Sequence, residues 1–530
     1  TNPAALETEF PVELPLTDEL VTYTVWGGTP DSTTGMTSQN DGKMWQELQK
    51  RTNIAFEWNH PAIGQQQAMF NLLIASQNYT ELIFGGPTYY LGGYDKFVDD
   101  GVIIDFTDKV DLIPNYMARR TLDAETIRQT MTDKNRICFF NSLRATWQPT
   151  WISPCARGDF MEDLGYTTED IQTYDDWYNF LTDAKEAGVS APYTPGVNTT
   201  TTGRDVYIMN GFGLGAAQWY QVDGTVYYAP AEEAFRDYLE LYRQWYAEGL
   251  IDQDFYSRTT STDIEPLCFN GDAAMSIVGY INIDRYDMQT ADDGWWTPIR
   301  VPRISEDDTS RLYAGNTSNR TSNSTTTITT ACTEDKVDLI LRWQDYLFTY
   351  DGRILTQFGV EGVSFYYDEN GEPVMYDFIL NNPDGRSITA GLHMYTMHHS
   401  TAGMWFEWYR EVPATMSDKA FVETAQVWDS NMEDPQKFPG NLTIDEANYT
   451  EYTARFNDVE TYVNEAVVRF IVGQDELNDE SWASFQNEIK NLGIENCIKW
   501  QQEAYDRYLA RDLTVGYTDE QIEEYNIGEY

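Results

Sequence analysis

The side chains in this sequence with the most to offer a ligand are aromatic, and several stand where the chain breaks. Trp26 precedes Gly27-Gly28, the pair Tyr89-Tyr90 follows Gly85-Gly86-Pro87, and Trp219 stands between a glycine-rich stretch and Val222-Asp223-Gly224. The pair Trp295-Trp296 follows the turn signal Asp292-Asp293-Gly294. Helical periodicity does not account for rings at such places, and their chemistry is stacking, a flat apolar face laid on the apolar face of a neutral, hydroxylated ring. Adjacent residues of an extended strand face opposite sides, so one of Trp295 and Trp296 is expected toward ligand and the other in packing. Trp405 and Trp408 have i,i+3 spacing that a helix would align, which leaves core and site roles equally open.

The charge balance narrows the ligand further. Against 35 Lys and Arg the chain carries 85 Asp and Glu, a formal charge of −50, which repels phosphates, nucleic acid and anionic lipid headgroups. The 16 Trp, 36 Tyr and 24 Phe are too many for one site, so core packing is the plain reading for most of them. A carboxylate pair would suit glycoside hydrolysis, but with 85 acids pairs arise by chance and none singles itself out. No Ser-His-Asp set or phosphate loop appears. The histidines are His60, His393, His398 and His399; the adjacent pair has metal-ligand chemistry, yet hydrogen bonding is the expected use. Cys138, Cys155, Cys268, Cys332 and Cys497 show no CxxC spacing and are odd in number, so no disulfide framework is expected. The acidic run 368–372 suggests calcium but lacks the spacing of a twelve-residue calcium loop, and a hairpin turn explains it better. No cofactor is expected.

These residues need a frame. At 530 residues the chain exceeds one ordinary core, so two domains or one with large insertions are expected. In the first third, strands at 21–26, 54–58, 81–84 and 102–105 alternate with helices at 44–51 and 65–76, an α/β pattern with a mainly parallel sheet. Ligands of such sheets bind beyond the carboxyl ends of the strands, which puts Trp26, Tyr89 and Tyr90 at a site edge. Farther on, Thr173 and Asp176 form a capping box ahead of the stripe Trp177, Phe180, Leu181 and Ala184, and Gly188 ends that helix. A second helix over 232–248 carries Phe235, Tyr238, Leu239, Tyr242, Trp245 and Tyr246 at helical spacing, and these rings belong to core. The Asn/Ser/Thr-rich stretch 316–330 has the composition of a flexible linker, although its Thr-Ile-Thr-Thr end favours a strand and a helical pattern through Val337, Ile340, Leu341, Leu347 and Phe348 follows. No run is long enough to span a membrane, and the start at Thr1-Asn2-Pro3 suggests a leader that has been cut away.

Five short passages, in order along the chain, resemble the family 1 extracellular solute-binding proteins of ABC sugar importers. They are RGDFMEDLG at 157–165 with YDDW at 174–177, AEGLIDQDF at 247–255, FNGDAAM at 269–275, FGVEGV at 358–363 and YDENGEP at 367–373. The stretch 105–115, ending Leu-Ile-Pro-Asn, fits as well. The likeness is strongest to the long lipoprotein receptors of gut bacteria that bind oligosaccharides. It departs from the pattern at Gly158 and Phe160, and nothing firm matches from Arg386 to about Glu460.

The resemblance implies a two-lobed α/β fold of periplasmic-binding-protein type, each lobe a mainly parallel sheet flanked by helices, closing on its ligand by a hinge. Residues 1–151 and 278–318 would form the N-terminal lobe, and 152–277 with 319–530 the C-terminal lobe with a helical extension. Crossings would fall near 151–157, 276–282 and 313–324, which recasts the Asn/Ser/Thr stretch as extended chain in a cleft. The candidate ligand-binding set is then Trp26, Tyr89, Tyr90, Trp147, Trp151, Trp219, Tyr220, Tyr280, Trp295, Trp296, Asn316, Asn319, Arg320, Trp405 and Trp408, with Asp159 and Glu361 structural. The function implied is capture of a neutral oligosaccharide for membrane permeases by a monomeric lipoprotein on the outer face of a Gram-positive cell. The alternative is a secreted glycoside hydrolase.

Overall fold

The computed structural model describes residues 2–85, 89–145, 150–200, 202–215, 218–308, 320–384, 386, 388–397, 402–407, 417, 419–429, 438–440 and 442–528, apart from the side chains of 198, 200, 322–324, 421, 425 and 429. The chain divides into two compact units, one formed by Thr1–Gln148, Ser318–Thr415 and Asp506–Tyr530, the other by Pro149–Thr317 and Met416–Tyr505. Strands are numbered along the whole chain.

The first unit is built on a six-stranded sheet ordered β14-β4-β11-β3-β1-β2. Strands β1 (Val21–Gly27), β2 (Ile54–Asn59) and β3 (Leu82–Phe84) run parallel, with Val21 opposite Ile54 and Val25 opposite Leu82. Strand β11 (Thr321–Ile328) lies antiparallel between β3 and β4 (Phe140–Arg144), and β14 (Trp405–Phe406) runs parallel to β4. Helix Gln66–Ser76 covers one face through Phe70 and Leu73, which pack with Trp26, Ile83 and Phe97. Helix Lys43–Thr52 buries Met44, Trp45 and Leu48, and Trp45 meets Phe56 of β2 edge-on.

The second unit holds a four-stranded sheet ordered β10-β5-β9-β6. Its members are β5 (Ile152–Arg157), β6 (Tyr193–Thr194), β9 (Met275–Gly279) and β10 (Trp296–Pro298); β7 (Trp219–Val222) and β8 (Thr225–Tyr228) make a separate hairpin. Helix Tyr174–Glu186 has the capping box of Thr173 and Asp176 and buries Trp177, Phe180, Leu181 and Ala184. Helix Glu233–Ala247 buries Phe235, Tyr238, Leu239, Tyr242 and Trp245, and helix Glu446–Ile471 adds Val459, Val463, Val467 and Phe470 to the same core.

Four local expectations are corrected. The stretch 278–317 belongs to the second unit, because β10 pairs with β5, whereas 319–415 and 506–530 belong to the first, because β11 and β14 complete its sheet. The first sheet is mainly parallel, with β11 alone reversed, whereas in the second only the β6–β9 pair is parallel, because β5 runs antiparallel to both of its neighbours, β10 and β9. Residues 102–105 form no strand; Ile103 makes a single bridge to Thr329. From 321 to 328 the Asn/Ser/Thr stretch is a central strand, because β-branched threonines fit a pleated surface and the ladder satisfies their backbone. The acidic run 368–372 forms the turn between β12 (Phe365–Tyr367) and β13 (Pro373–Met375), where Asp368 Oδ1 accepts the Asn370 and Glu372 amides.

Candidate functional site

Strand polarity puts the carboxyl ends of β1, β2, β3, β4 and β14, with the start of β11, on one edge of the first sheet. Three of the four changes of unit along the chain come next in sequence to strand ends on this edge, at 148–149 after β4, at 317–318 before β11 and at 415–416 after β14. Gly27 ends β1 with φ +109°, and a Cβ there would fall 2.3 Å from the Phe84 carbonyl, so only glycine lets β1 and β3 finish side by side. His60 holds the turn that follows. The Gln39 amide donates to its Nε2 at 3.4 Å, leaving Nδ1–H to donate to the Gly27 carbonyl at 2.8 Å, and Gln39 Nε2 donates to Gly28 O at 2.8 Å. Burial holds this imidazole below its ordinary pKa, against the opposing pull of the Gly27 hydrogen bond. The half-buried Trp58 ring lies 5.2 Å from His60 and nearly parallel to it, with Nε1 donating to Asn40 Oδ1.

The opposite end of the same edge is laced by charge. Arg320, almost fully buried, donates from Nε to Asp123 Oδ2 at 2.7 Å and from NH1 to the Ala145 carbonyl at 2.6 Å. The Arg144 amide donates to Arg320 O, the Ala145 amide to Phe406 O, and Arg353 pairs with Glu407. The last residues of β4, β14 and the first of β11 are therefore tied to one another and to the helix Ala124–Gln129 that Asp123 caps.

In the second unit the corresponding edge carries the carboxyl ends of β6 and β9 and the start of β5, with Ile152 opposite Gly279. Trp151 stands there 39% exposed, its carbonyl accepting the Tyr280 amide at 3.0 Å and its ring beside Gly279. Trp295 lies at the other end of β5. The Gly158 amide donates to its carbonyl at 2.7 Å, and a Cβ on Gly158 would sit 1.9 Å from the indole nitrogen. Six residues of strand separate the ends of β5 by roughly 20 Å, so Trp151 and Trp295 do not share one sugar-sized subsite. Gly158, where the resemblance departs from its pattern, is the floor on which the Trp295 indole rests. Asp159 grips Arg157 at 2.8 and 2.5 Å, and Arg157 stacks over Phe160 at 4.2 Å.

The other candidates divide as follows. Trp26 is buried, edge-on to Phe70 and Tyr89, because its side chain takes the sheet face that helix Gln66–Ser76 covers. Tyr89 and Tyr90 pack half-buried on that cluster, and Tyr90 stacks on Phe97 at 4.1 Å while its hydroxyl meets Asp100. Trp219 packs on Tyr228 and Phe456, each at 5.2 Å, and hydrogen-bonds Tyr452; Tyr220 is buried and stacks on Tyr227. Tyr280, Trp296 and Trp405 are buried as well, Trp405 in strand β14 beneath the Arg119 guanidinium and not on a helix. Trp147, Asn316, Asn319, Trp408, His398 and His399 lie outside the described residues. Sequence reasoning missed Trp58, His60 and Gln39. The strand-end rule that singled out Trp26 applies equally to Trp58, the last residue but one of β2, just before Asn59 and His60.

Among the described residues no cluster of three or more His, Cys, Asp or Glu could hold a metal ion, and no helix is long and apolar enough to cross a membrane. No family model matches the sequence, and no curated protein matches it. Solved structures do match in fold. The alginate-binding protein AlgQ2 without calcium ion is similar over 93% of this chain and 99% of its own, with 19% identity and a TM-score of 0.70. An HMO-binding solute-binding protein associated with an ABC transporter, from Bifidobacterium longum infantis, gives 13% identity and a TM-score of 0.74 over 93% and 99%. The S. pneumoniae ABC-transporter substrate-binding protein FusA in complex with kestose gives 15% and 0.67 over 93% and 100%. With its α/β units and its repeated passages from one edge of the first sheet, this chain has the fold of the ABC-transporter solute-binding proteins.

Proposed function

We propose that this protein is the extracellular binding component of an ABC importer, which captures a neutral oligosaccharide and delivers it to membrane permeases without transforming it. The observation that carries this reading is full-length likeness in fold to structures named for binding alginate, HMO and kestose. The acidic surface argues for an uncharged glycan, since a polyanion would be repelled. On the second unit Trp151 offers an exposed ring for stacking, and on the first the half-buried Trp58 ring, held against His60, stands at the strand ends. The oligosaccharide class, a monomeric state, a lipid anchor on a Gram-positive cell and work without a cofactor are part of the same proposal. Incubation with a panel of neutral and acidic oligosaccharides tests it. The expected result is a raised melting temperature with a neutral glycan that is recovered intact; shortening of the glycan by the purified protein overturns the reading.

A further inference from the structure

Trp295 and Trp296 divide between solvent and core. Trp296 is buried against Tyr286 at 5.7 Å, with Nε1 donating to Thr290 Oγ1 at 3.1 Å, whereas Trp295 is 37% exposed. The backbone on both sides of Trp295 is pinned. Its carbonyl accepts the Gly158 amide, and the following amide, that of Trp296, donates to Asp287 Oδ1 at 2.7 Å. Ahead of it Asp292 and Asp293 have φ +58° and +56°, the one adjacent pair of non-glycine residues with positive φ among the described residues. Gly294 then comes so close to the Arg157–Asp159 pair that a Cβ would stand 2.2 Å from NH2 of Arg157. Backbone held by its surroundings in so sparsely used a conformation marks a place where a side chain is being aimed.

The indole is laid flat. A Cβ on Gly158 would sit 1.9 Å from Nε1, 2.5 Å from Cδ1 and 2.6 Å from Cε2. That is above the five-membered ring, because an atom in the ring plane beyond Nε1 would stand farther from both carbons. One face therefore rests on a residue with no side chain, and the exposure of Trp295 belongs to the other. Both positions at which the sequence departs from the solute-binding pattern, Gly158 and Phe160, are part of this bed. The first carries the ring, and the second stacks under the Arg157 guanidinium that Asp159 grips. The platform is thus made from what sets this chain apart from the family pattern, at the end of β5 opposite to Trp151.

We propose that Trp295 is the platform of a second saccharide site, which stacks one neutral pyranose ring on its open face independently of Trp151. No lysine or arginine occurs from Tyr286 to Ile299, and the Arg157 cation is already paired with Asp159, so a phosphate or carboxylate finds no counter-charge. Asp292 and Asp293 are exposed in the turn before the ring and can only accept, which suits the hydroxyl donors of a sugar. A cation is best held by a cage of several rings, whereas a single indole with one open face matches the apolar side of a pyranose. Because the ring is already fixed, stacking on it costs little ordering. The inference is independent of what the protein transports.

Fluorine NMR of the protein labelled with 5-fluorotryptophan tests it, the Trp295 signal being assigned by its loss in Trp295→Phe. The labelled protein is titrated with maltotetraose, cellotetraose, xylotetraose and mannotetraose, and separately with tetramethylammonium chloride. The expected result is a saturable shift of the Trp295 signal with one or more of these sugars, and the same shift in Trp151→Ala. No shift of that signal with any of the sugars, a shift with tetramethylammonium alone, or loss of the shift in Trp151→Ala would overturn it. A sugar that raises the melting temperature while every titration leaves the Trp295 signal still would sustain the transport reading and remove this one.

Discussion

The passage edge of the first unit and the far ends of the second unit's strands use aromatic residues in opposite ways. At the first edge, Trp26 and Trp405 turn inward, and the polar work falls to Arg320, Asp123, Arg353, Glu407 and His60. In the second unit Trp151 and Trp295 stay about two fifths exposed, one at each end of β5. The first edge is a braced frame, whereas the second offers open rings. A sheet whose strands run on into the passages between units must keep their ends in register, and hydrogen-bonded charge does this where a stacking ring would not.

The strongest way to break the frame is Arg320→Met, which leaves Asp123 and the Ala145 carbonyl without their buried partner. It should cost about 3–5 kcal/mol of folding stability in denaturant titrations, the range for removing one member of a buried pair. A loss within experimental error would mean that the passage edge is not braced by charge.

Next come the tryptophans. Trp219→Ala should cost about 3 kcal/mol of stability, because its ring is held by Tyr228 and Phe456, in keeping with large-to-small core losses. Trp151→Ala should leave the melting temperature nearly unchanged and weaken binding of a stabilising glycan by about 1–2 kcal/mol in calorimetry, as expected for one exposed anchor. If Trp219→Ala instead lost affinity at unchanged stability, the two assignments would have to be exchanged.

A smaller effect, about 1–3 kcal/mol, is expected for Gly158→Ala, whose Cβ would collide with the Trp295 indole. In the double variant Gly158→Ala with Trp295→Ala that collision is gone, and the cost of the glycine change should fall toward zero; a cost that stays would place the strain in the backbone.

The mildest prediction concerns pH and compares one buried acid in each unit. Burial raises Asp345 to about 7 and Asp205 to about 6, despite the Tyr116 amide and Asn115 at the first and the Tyr193 hydroxyl and Tyr207 amide at the second. With folded values above the unfolded value near 4, the stabilising contribution is the protonated one, full below about pH 4 and lost as pH rises through 6 to 7. Asp345→Asn and Asp205→Asn should each flatten that decline. His60 runs the other way: held neutral below its ordinary range, it supports the fold above about pH 6.5 and loses that support as pH falls through its depressed value. Unchanged pH slopes in both Asn variants would show that neither acid titrates with folding.

Helices and their buried faces were readable along the chain. The helix Tyr174–Glu186 stands where its capping box and 3.6-residue spacing put it, and Glu233–Ala247 where the spacing put it, since these signals are local and each residue's face follows from its neighbours a turn away. The α/β class and the likeness to sugar-importer receptors were readable for the same reason, being carried by short strings and the alternation of strand and helix. The site was much less so. Whether Trp26 faces ligand or core depends on which side of β1 the helix Gln66–Ser76 covers, and whether Arg320 meets sugar or Asp123 depends on residues nearly 200 positions apart in sequence. Membership of the units was decided in the same way, by the pairing of β11 with β3 and β4 and of β10 with β5. Spacing along the chain determines which residues share a face; only long-range pairing decides what that face meets, because strand partners and covering helices come from distant parts of the chain.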